Sequence, residues 1–189
     1  VPDQSWVLVG LGNPGPAYAR TRHNAGFLLL DLLARDLGAG PERDEGAYRV
    51  AGAVWKGIRV ALVRPMTFMN RSGDALARSP ESAAVPPERH LILLDDVALP
   101  FGSIRLRPQG SAGGHRGLES VLGVLGTDEV PRLRMGVGGG EAGRDLRGYV
   151  LEPFSEDEEK AMEPWLTGAS ECVRVLLEEG ADAAMNRFN

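Results

Sequence analysis

Two short runs constrain the fold more than anything else in the chain. WVLVGLG (6–12) and LILLD (91–95) are apolar at nearly every position and pass directly into loop residues. Uninterrupted apolar runs of this length read as strands buried on both faces, and such strands belong to sheets covered by helices on each side. The intervening segments agree. Asn24 precedes Phe27, Leu28, Leu30, Leu32 and Leu33, an apolar face that closes at Gly38 and predicts a helix. YRVAGAV (48–54) and IRVALV (58–63) predict a hairpin around Lys56-Gly57. Helices are predicted at 70–79, capped by Asn70 or Ser72, and at 117–126. In SIRLRP (103–108), Ile104 and Leu106 alternate with Arg105 and Arg107, which puts both arginines on one face of a strand. RLRMGVG (132–138) repeats the pattern with Arg132 and Arg134. Ser155 with Glu158 forms a capping box that opens a helix running to about Glu179. Its apolar stripe is Trp165, Ala169, Cys172, Val173, Leu176 and Leu177, and Pro164 is expected to kink it. The expectation is an α/β protein: one domain over 1–189, a three-layer α/β/α sandwich with a mixed, mostly parallel central sheet. In such sheets, sites gather in loops at the carboxyl ends of strands.

Composition narrows the function classes. A length of 189 residues fits one domain at ~100–200 residues per domain. A single cysteine, Cys172, excludes a disulfide framework or a thiolate metal cluster, and its place in the stripe makes it core. No apolar run reaches the ~20 residues of a membrane span. The N-terminal stretch has no basic region, so no signal peptide is expected, and the expected compartment is the cytoplasm, with no membrane partner. The formal charge is −5, but residues 151–189 hold ten acids against Lys160, Arg174 and Arg187, a net of −7 that leaves +2 for the first 150 residues. Nineteen of the 21 basic residues are arginine. That suits bidentate phosphate contacts, and codon bias accounts for it equally well.

Four loops carry side chains with chemistry. GLGNPGPAYARTRHNAGF (10–27) contains Gly10-x-Gly12-x-x-Gly15, the dinucleotide spacing, but Pro14 and Pro16 bracket Gly15 and no helix starts there, so the phosphate-binding reading is weak. The loop instead displays His23 with the amides Asn13 and Asn24, and with Arg20 and Arg22 adding positive charge beside it. In LLDDVALP (93–100), Asp95 and Asp96 are adjacent on a strand and point to opposite faces, so they cannot share one ion. One of them suits orienting an imidazole; a turn or cap acid is the plain alternative. In RPMTFMNRSG (64–73), Phe68 and Met69 are either core or the wall of an apolar slot ended by Asn70. PQGSAGGHRGLES (108–120) is glycine-dense and carries His115 and Arg116 at its tip. With three histidines, one of them (His90) read as a surface residue before a strand, no His-rich metal site is expected. There is no Gly-x-Ser-x-Gly elbow and no Walker sequence. What is left suits attack of a base-activated water on a reactive carbonyl of a phosphate-bearing substrate.

VGLGNPGPAYARTRHNAGF (9–27), RPMTFMNRSG (64–73), LLDDVALPFGSIRLRPQGSAGGHRGLESV (93–121) and RLRMGVG (132–138) together resemble the bacterial peptidyl-tRNA hydrolases, in order and across essentially the whole chain. The resemblance implies a monomeric α/β/α sandwich that cleaves the ester between a peptide and the terminal ribose of tRNA. It implies no cofactor and no metal. Carried over by motif, the general base falls on His23, its orienting acid on Asp95, and substrate-positioning amides on Asn13 and Asn70. Tyr18, Phe68 and Met69 match the cleft for the peptide and terminal adenosine. Arg105, Arg107 and Arg134 match residues that meet tRNA phosphates along the acceptor stem and 3′ end. The chain departs from the family at Gly114-His115-Arg116-Gly117, where an asparagine usually follows the histidine; His115 and Arg116 are carried as substrate contacts. A non-catalytic RNA-binding relative, resembling a chloroplast intron-splicing factor of the same fold, is the alternative reading. A nucleotide-binding α/β protein using Gly10–Gly15 is a weaker one.

Overall fold

The computed structural model describes residues 4–140 and 143–189; part of the N-terminal stretch read for a signal peptide lies outside the described residues. In chain order the strands are β1 (Ser5–Gly10), β2 (Arg43–Asp44), β3 (Tyr48–Trp55), β4 (Ile58–Pro65), β5 (His90–Asp96), β6 (Ile104–Arg107) and β7 (Arg132–Gly136). The helices are α1 (Ala25–Asp36), α2 (Ser72–Ala77), α3 (Pro80–Ala83), α4 (Arg116–Leu125), α5 (Leu146–Leu151), α6 (Glu156–Glu179) and α7 (Ala181–Phe188). The strands form one sheet in the order β2-β3-β4-β1-β5-β7-β6. The central four, β4-β1-β5-β7, are parallel, and the flanks add antiparallel pairs β2/β3, β3/β4 and β6/β7.

Alternation along the strands divides the core into two layers. Leu8, Leu91, Leu93, Leu133 and Met135 face α1, α6 and α7, with Trp165, Cys172, Val173 and Leu176 of α6 packed against them. Val7, Val9, Ile92 and Leu94 face the other way, toward Ala75 and Leu76 of α2 and Leu118 and Val121 of α4. The mixed α/β/α sandwich is therefore as expected. Both Lys56 and Gly57 take positive φ (48° and 83°), the two-residue geometry that matches strand twist in a hairpin. The capping box at Ser155 and Glu158 forms in both directions, and α6 continues through Pro164 as one helix.

Three local expectations are corrected. Neither Asn70 nor Ser72 caps the helix at 70–79. A 3-10 turn over Met69–Arg71 leads into α2, and the Ser72 hydroxyl donates to the Met69 carbonyl instead. His90 is not a surface residue: it opens β5 fully buried, Nδ1 donating to the Pro86 carbonyl (3.1 Å) and Nε2 accepting from the Ser82 hydroxyl (2.8 Å). Burial lowers its pKa below the ordinary histidine value, so it stays neutral. The loop at 108–115 does not leave the carboxyl end of the parallel strands. β6 runs antiparallel, so this loop starts at the far end and climbs back over the sheet. Arg132, which repeats the β6 arginine pattern, is buried and ties it down through the carbonyls of Val130 (2.8 Å), Ser111 (3.1 Å) and Asp128 (3.3 Å).

Candidate active site

The carboxyl ends of β1, β4 and β5 lie together, and the packing of α1 brings its N-terminus onto them. Gly26 makes this possible. A Cβ there would stand 2.3 Å from the Leu93 carbonyl oxygen and 2.6 Å from the Leu11 amide, while one on Gly10 would meet the Gly26 carbonyl at 2.6 Å. The glycines of the first loop thus serve close helix-to-strand packing. The turn before α1, Arg22–Asn24, is 3-10 and carries His23 directly over the end of β5.

Asp95 is the centre of the cluster, its side chain 2% exposed. His23 Nδ1 lies 2.9 and 3.0 Å from its two oxygens, and His115 Nε2 lies 2.9 Å from Oδ1. The tautomers follow from the partners. His115 Nδ1 accepts the Leu118 backbone N–H at 3.2 Å, capping α4, so its proton sits on Nε2 and points at Asp95. Both nitrogens of His115 are occupied. His23 donates from Nδ1, and its Nε2 lone pair has no partner among the described residues while remaining accessible. Burial opposes the charged form of His23, but the Asp95 carboxylate and its hydrogen bond outweigh it, and the His23 pKa lies above the ordinary value. Burial works against the charge of Asp95 too. The two imidazoles overcome it and hold the carboxyl far below the usual carboxylate range.

Asp96 points the other way, as the strand alternation requires, and pairs with Arg134 at 2.6 Å. The Asn13 side chain is oriented by its neighbour. Its Oδ1 accepts the Met69 N–H at 2.8 Å, which leaves Nδ2 as a donor without a partner among the described residues. Asn24 has a different task from the one its amide suggested. It exchanges two bonds with the Asn13 backbone, Oδ1 accepting from N (2.9 Å) and Nδ2 donating to O (3.0 Å), and so stays turned into the fold. Phe68 and Met69 part ways: Met69 is core, close enough to α4 that a Cβ on Gly117 would stand 2.3 Å from its sulfur, while Phe68 is 61% exposed. Asn70 is exposed beside them, Tyr18 is half-buried in the first loop, and Arg116 is exposed in the first turn of α4.

Arg20 and Arg22 do not charge the site. Arg20 pairs with Glu159 and Arg22 with Glu158, both on the first turn of α6. The convergence of His115 on Asp95 was not visible in the sequence, because nothing in the spacing of residues 95 and 115 announces that contact. It also revises the count-based view of metals: ligand atoms of His23, Asp95 and His115 all lie within 4.8 Å of one another, a set that a transition metal could use. The hydrogen-bond pattern accounts for each of those donors without an ion.

The sequence model of the family described as peptidyl-tRNA hydrolase matches residues 7–189. The chain belongs to that family. A peptidyl-tRNA hydrolase of Moorella thermoacetica is 50% identical over 184 residues, covering 97% of each chain. One from Aquifex aeolicus is 42% identical over 183 residues, with 97% of this chain and 95% of that one covered. The crystal structure of peptidyl-tRNA hydrolase from Acinetobacter baumannii superposes with a TM-score of 0.89 at 33% identity, over 98% of this chain and 94% of that one. Peptidyl-tRNA hydrolases thus share with this chain both the sequence pattern and the sandwich fold.

Proposed function

We propose that this chain hydrolyses the ester joining a peptide, or an N-blocked amino acid, to tRNA, with His23 as general base. The observation that carries the reading is the Asp95-bound Nδ1 of His23, which presents a free Nε2 lone pair above the strand ends. Nε2 takes a proton from water as the oxygen attacks the ester carbonyl, and the imidazolium formed is stabilised by Asp95. The Nδ2 of Asn13, freed because Met69 occupies its oxygen, donates to the oxyanion. The proton then passes to the departing ribose oxygen. His115 fixes Asp95 from the other side. Asn70 and the exposed Phe68, with Tyr18 opposite in the first loop, form the peptide and terminal-adenosine cleft, and Arg116 adds a cation at its rim.

Arg105 and Arg107 carry the tRNA acceptor stem and 3′ end. Neither has an ion pair among the described residues, unlike Arg134. The register sets Arg105 level with Arg134 and Arg107 level with Arg132, all on one face. The pair lies about 10 Å, two strand spacings, from β5 and marks a track running down the edge of the sheet. The chain works as one domain and as a monomer. Its substrate arises in translation, which puts it in the cytoplasm. No helix among the described residues is long and apolar enough to cross a membrane.

The test is release of N-acetyl-amino acid from N-acetyl-aminoacyl-tRNA, with His23→Ala beside the wild type and EDTA in both. Turnover that survives EDTA and collapses in the variant is the expected result. Equal activity in the two proteins would remove His23 from the chemistry. Binding of tRNA without release would leave an RNA-binding role only.

A further inference from the structure

We propose that Arg22 is a positioning residue, which holds the turn carrying His23 through a buried fork onto Glu158. The proposal rests on the reading of His23 as the base. His23 sits between two locked neighbours. On its C-terminal side Asn24 is tied to the Asn13 backbone. On its N-terminal side the Arg22 side chain is only 7% exposed and every face of it is used. Nε and Nη2 donate to the two oxygens of Glu158 (3.0 and 2.8 Å). Nη1 donates to the Tyr149 carbonyl (3.1 Å) and reaches Glu152 (3.4 Å), and the guanidinium lies 4.1 Å from the Tyr149 ring centre. The Arg22 backbone N–H donates to the Glu152 carbonyl (3.2 Å), and Thr21 bridges to Pro153. Glu158, 13% exposed, also accepts from the Ser155 N–H, so one carboxylate closes the α6 cap and the fork together.

A buried ion pair is a poor way to gain stability, since apolar side chains of similar volume often do as well. What apolar packing lacks is direction. A planar guanidinium on a carboxylate fixes angle as well as distance. Here that direction is transmitted one residue along a tight turn to the imidazole whose Nδ1 must meet Asp95. The charge itself is spent on Glu158, so a direct field effect on His23 is not the reason for the arginine.

The experiment compares wild type, His23→Ala, Arg22→Lys, Glu158→Gln and the apolar double variant Arg22→Met/Glu158→Leu. It measures kcat and KM for N-acetyl-aminoacyl-tRNA, thermal unfolding, the pH dependence of kcat/KM, and the His23 Nδ1–H proton by NMR. Arg22→Lys and Glu158→Gln are expected to lower kcat ~10–100-fold, the range a small misplacement of a catalytic group produces, with KM close to wild type. The double variant is expected to regain the thermal midpoint but not kcat, and to lose the Nδ1–H signal of the His23–Asp95 bond. The pH limb should fall toward ordinary histidine, because Asp95 and the neighbouring His115 are the titratable groups facing the ring. Recovery of kcat together with the midpoint would make Arg22 a strut and overturn the proposal. So would full activity in Arg22→Lys. If His23→Ala remains active, the base assignment fails instead, and an Nδ1–H signal unchanged in the Arg22 variants would still reject the positioning role.

Discussion

The Asp95 carboxylate sets the tautomer of His23 while being held in turn by His115. One prediction follows from that arrangement, and a second from the buried His90. Asp95→Asn removes the carboxylate that raises the His23 pKa and lets the ring turn to the wrong tautomer. The acid limb of kcat/KM, which in the wild type follows a pKa above the ordinary histidine value, should move to lower pH. The plateau should drop ~10²–10⁴-fold, the range general base catalysis contributes; steady-state rates across pH on both proteins check this. The second prediction concerns His90. Its folded pKa is lowered, so the unfolded chain binds the proton more readily, and the stability tied to His90 is complete above its unfolded pKa of about 6.5 and lost as pH falls below it. His90→Asn keeps a donor toward Pro86 but cannot titrate. Its thermal midpoint should fall less steeply than that of the wild type from about pH 7 to about pH 5. His23 contributes with the opposite sign in both proteins, because a raised folded pKa stabilises at low pH and is lost as pH rises through it. The comparison between proteins therefore isolates His90. Of these residues, His23 was legible from loop position, while alternation said only that one of Asp95 and Asp96 faces the site, and the family resemblance pointed to Asp95. His115 was legible only as a loop-tip residue, and His90 was misread, because a histidine at the head of an apolar strand gives no sign of the serine and carbonyl that bury it.

At the scale of elements, the site depends on two close approaches and one cap. Gly26→Ala places a Cβ against the Leu93 carbonyl and the Leu11 amide, so α1 must shift off the strands or the strands must bend. Overpacking of this kind costs ~1–3 kcal/mol. Urea unfolding should show that loss, and because the 3-10 turn that carries His23 runs directly into α1, activity should fall in the protein that remains folded. Ser155→Ala removes the hydroxyl that accepts the Glu158 backbone N–H, a cap worth ~1 kcal/mol, and so loosens the turn from which Glu158 reaches Arg22. A lowered thermal midpoint accompanied by a fall in kcat is the expected result. The long elements were legible because their periodicity is strong: β1, β5, the hairpin and α6 all stand where the apolar pattern puts them. The short ones, β2, α3, α5 and α7, had no such signal, and the cap at 70–79 was misplaced because a 3-10 turn had already used the serine hydroxyl.

For the molecule as a whole, the acidic α6 and the arginine-rich front half are joined where Arg20 and Arg22 meet Glu159 and Glu158, so part of the basic excess is consumed inside the fold. On the proposed reading, Arg105 and Arg107 on the sheet edge are the cations that meet tRNA. Each contact to a phosphate releases counterions, and Arg105→Gln or Arg107→Gln should each reduce the slope of log KM against log salt by ~0.7–0.9. Arg134→Gln should change it less, because Asp96 already holds that charge. Titrations of KM against salt for the three variants decide the matter. The sequence by itself determined the fold class and the family, and it put the proposed reacting groups on strand-end loops, because strand burial, loop position and motif order are local properties written in consecutive residues. Which arginines are free, which amide end faces the substrate, which nitrogen of each histidine holds its proton and what keeps His23 in place were decided only by tertiary structure. For Asn13, His23 and Arg22 the deciding partner stands 56 to 136 residues away, and hydrogen-bond direction and charge pairing exist only once the partner has arrived.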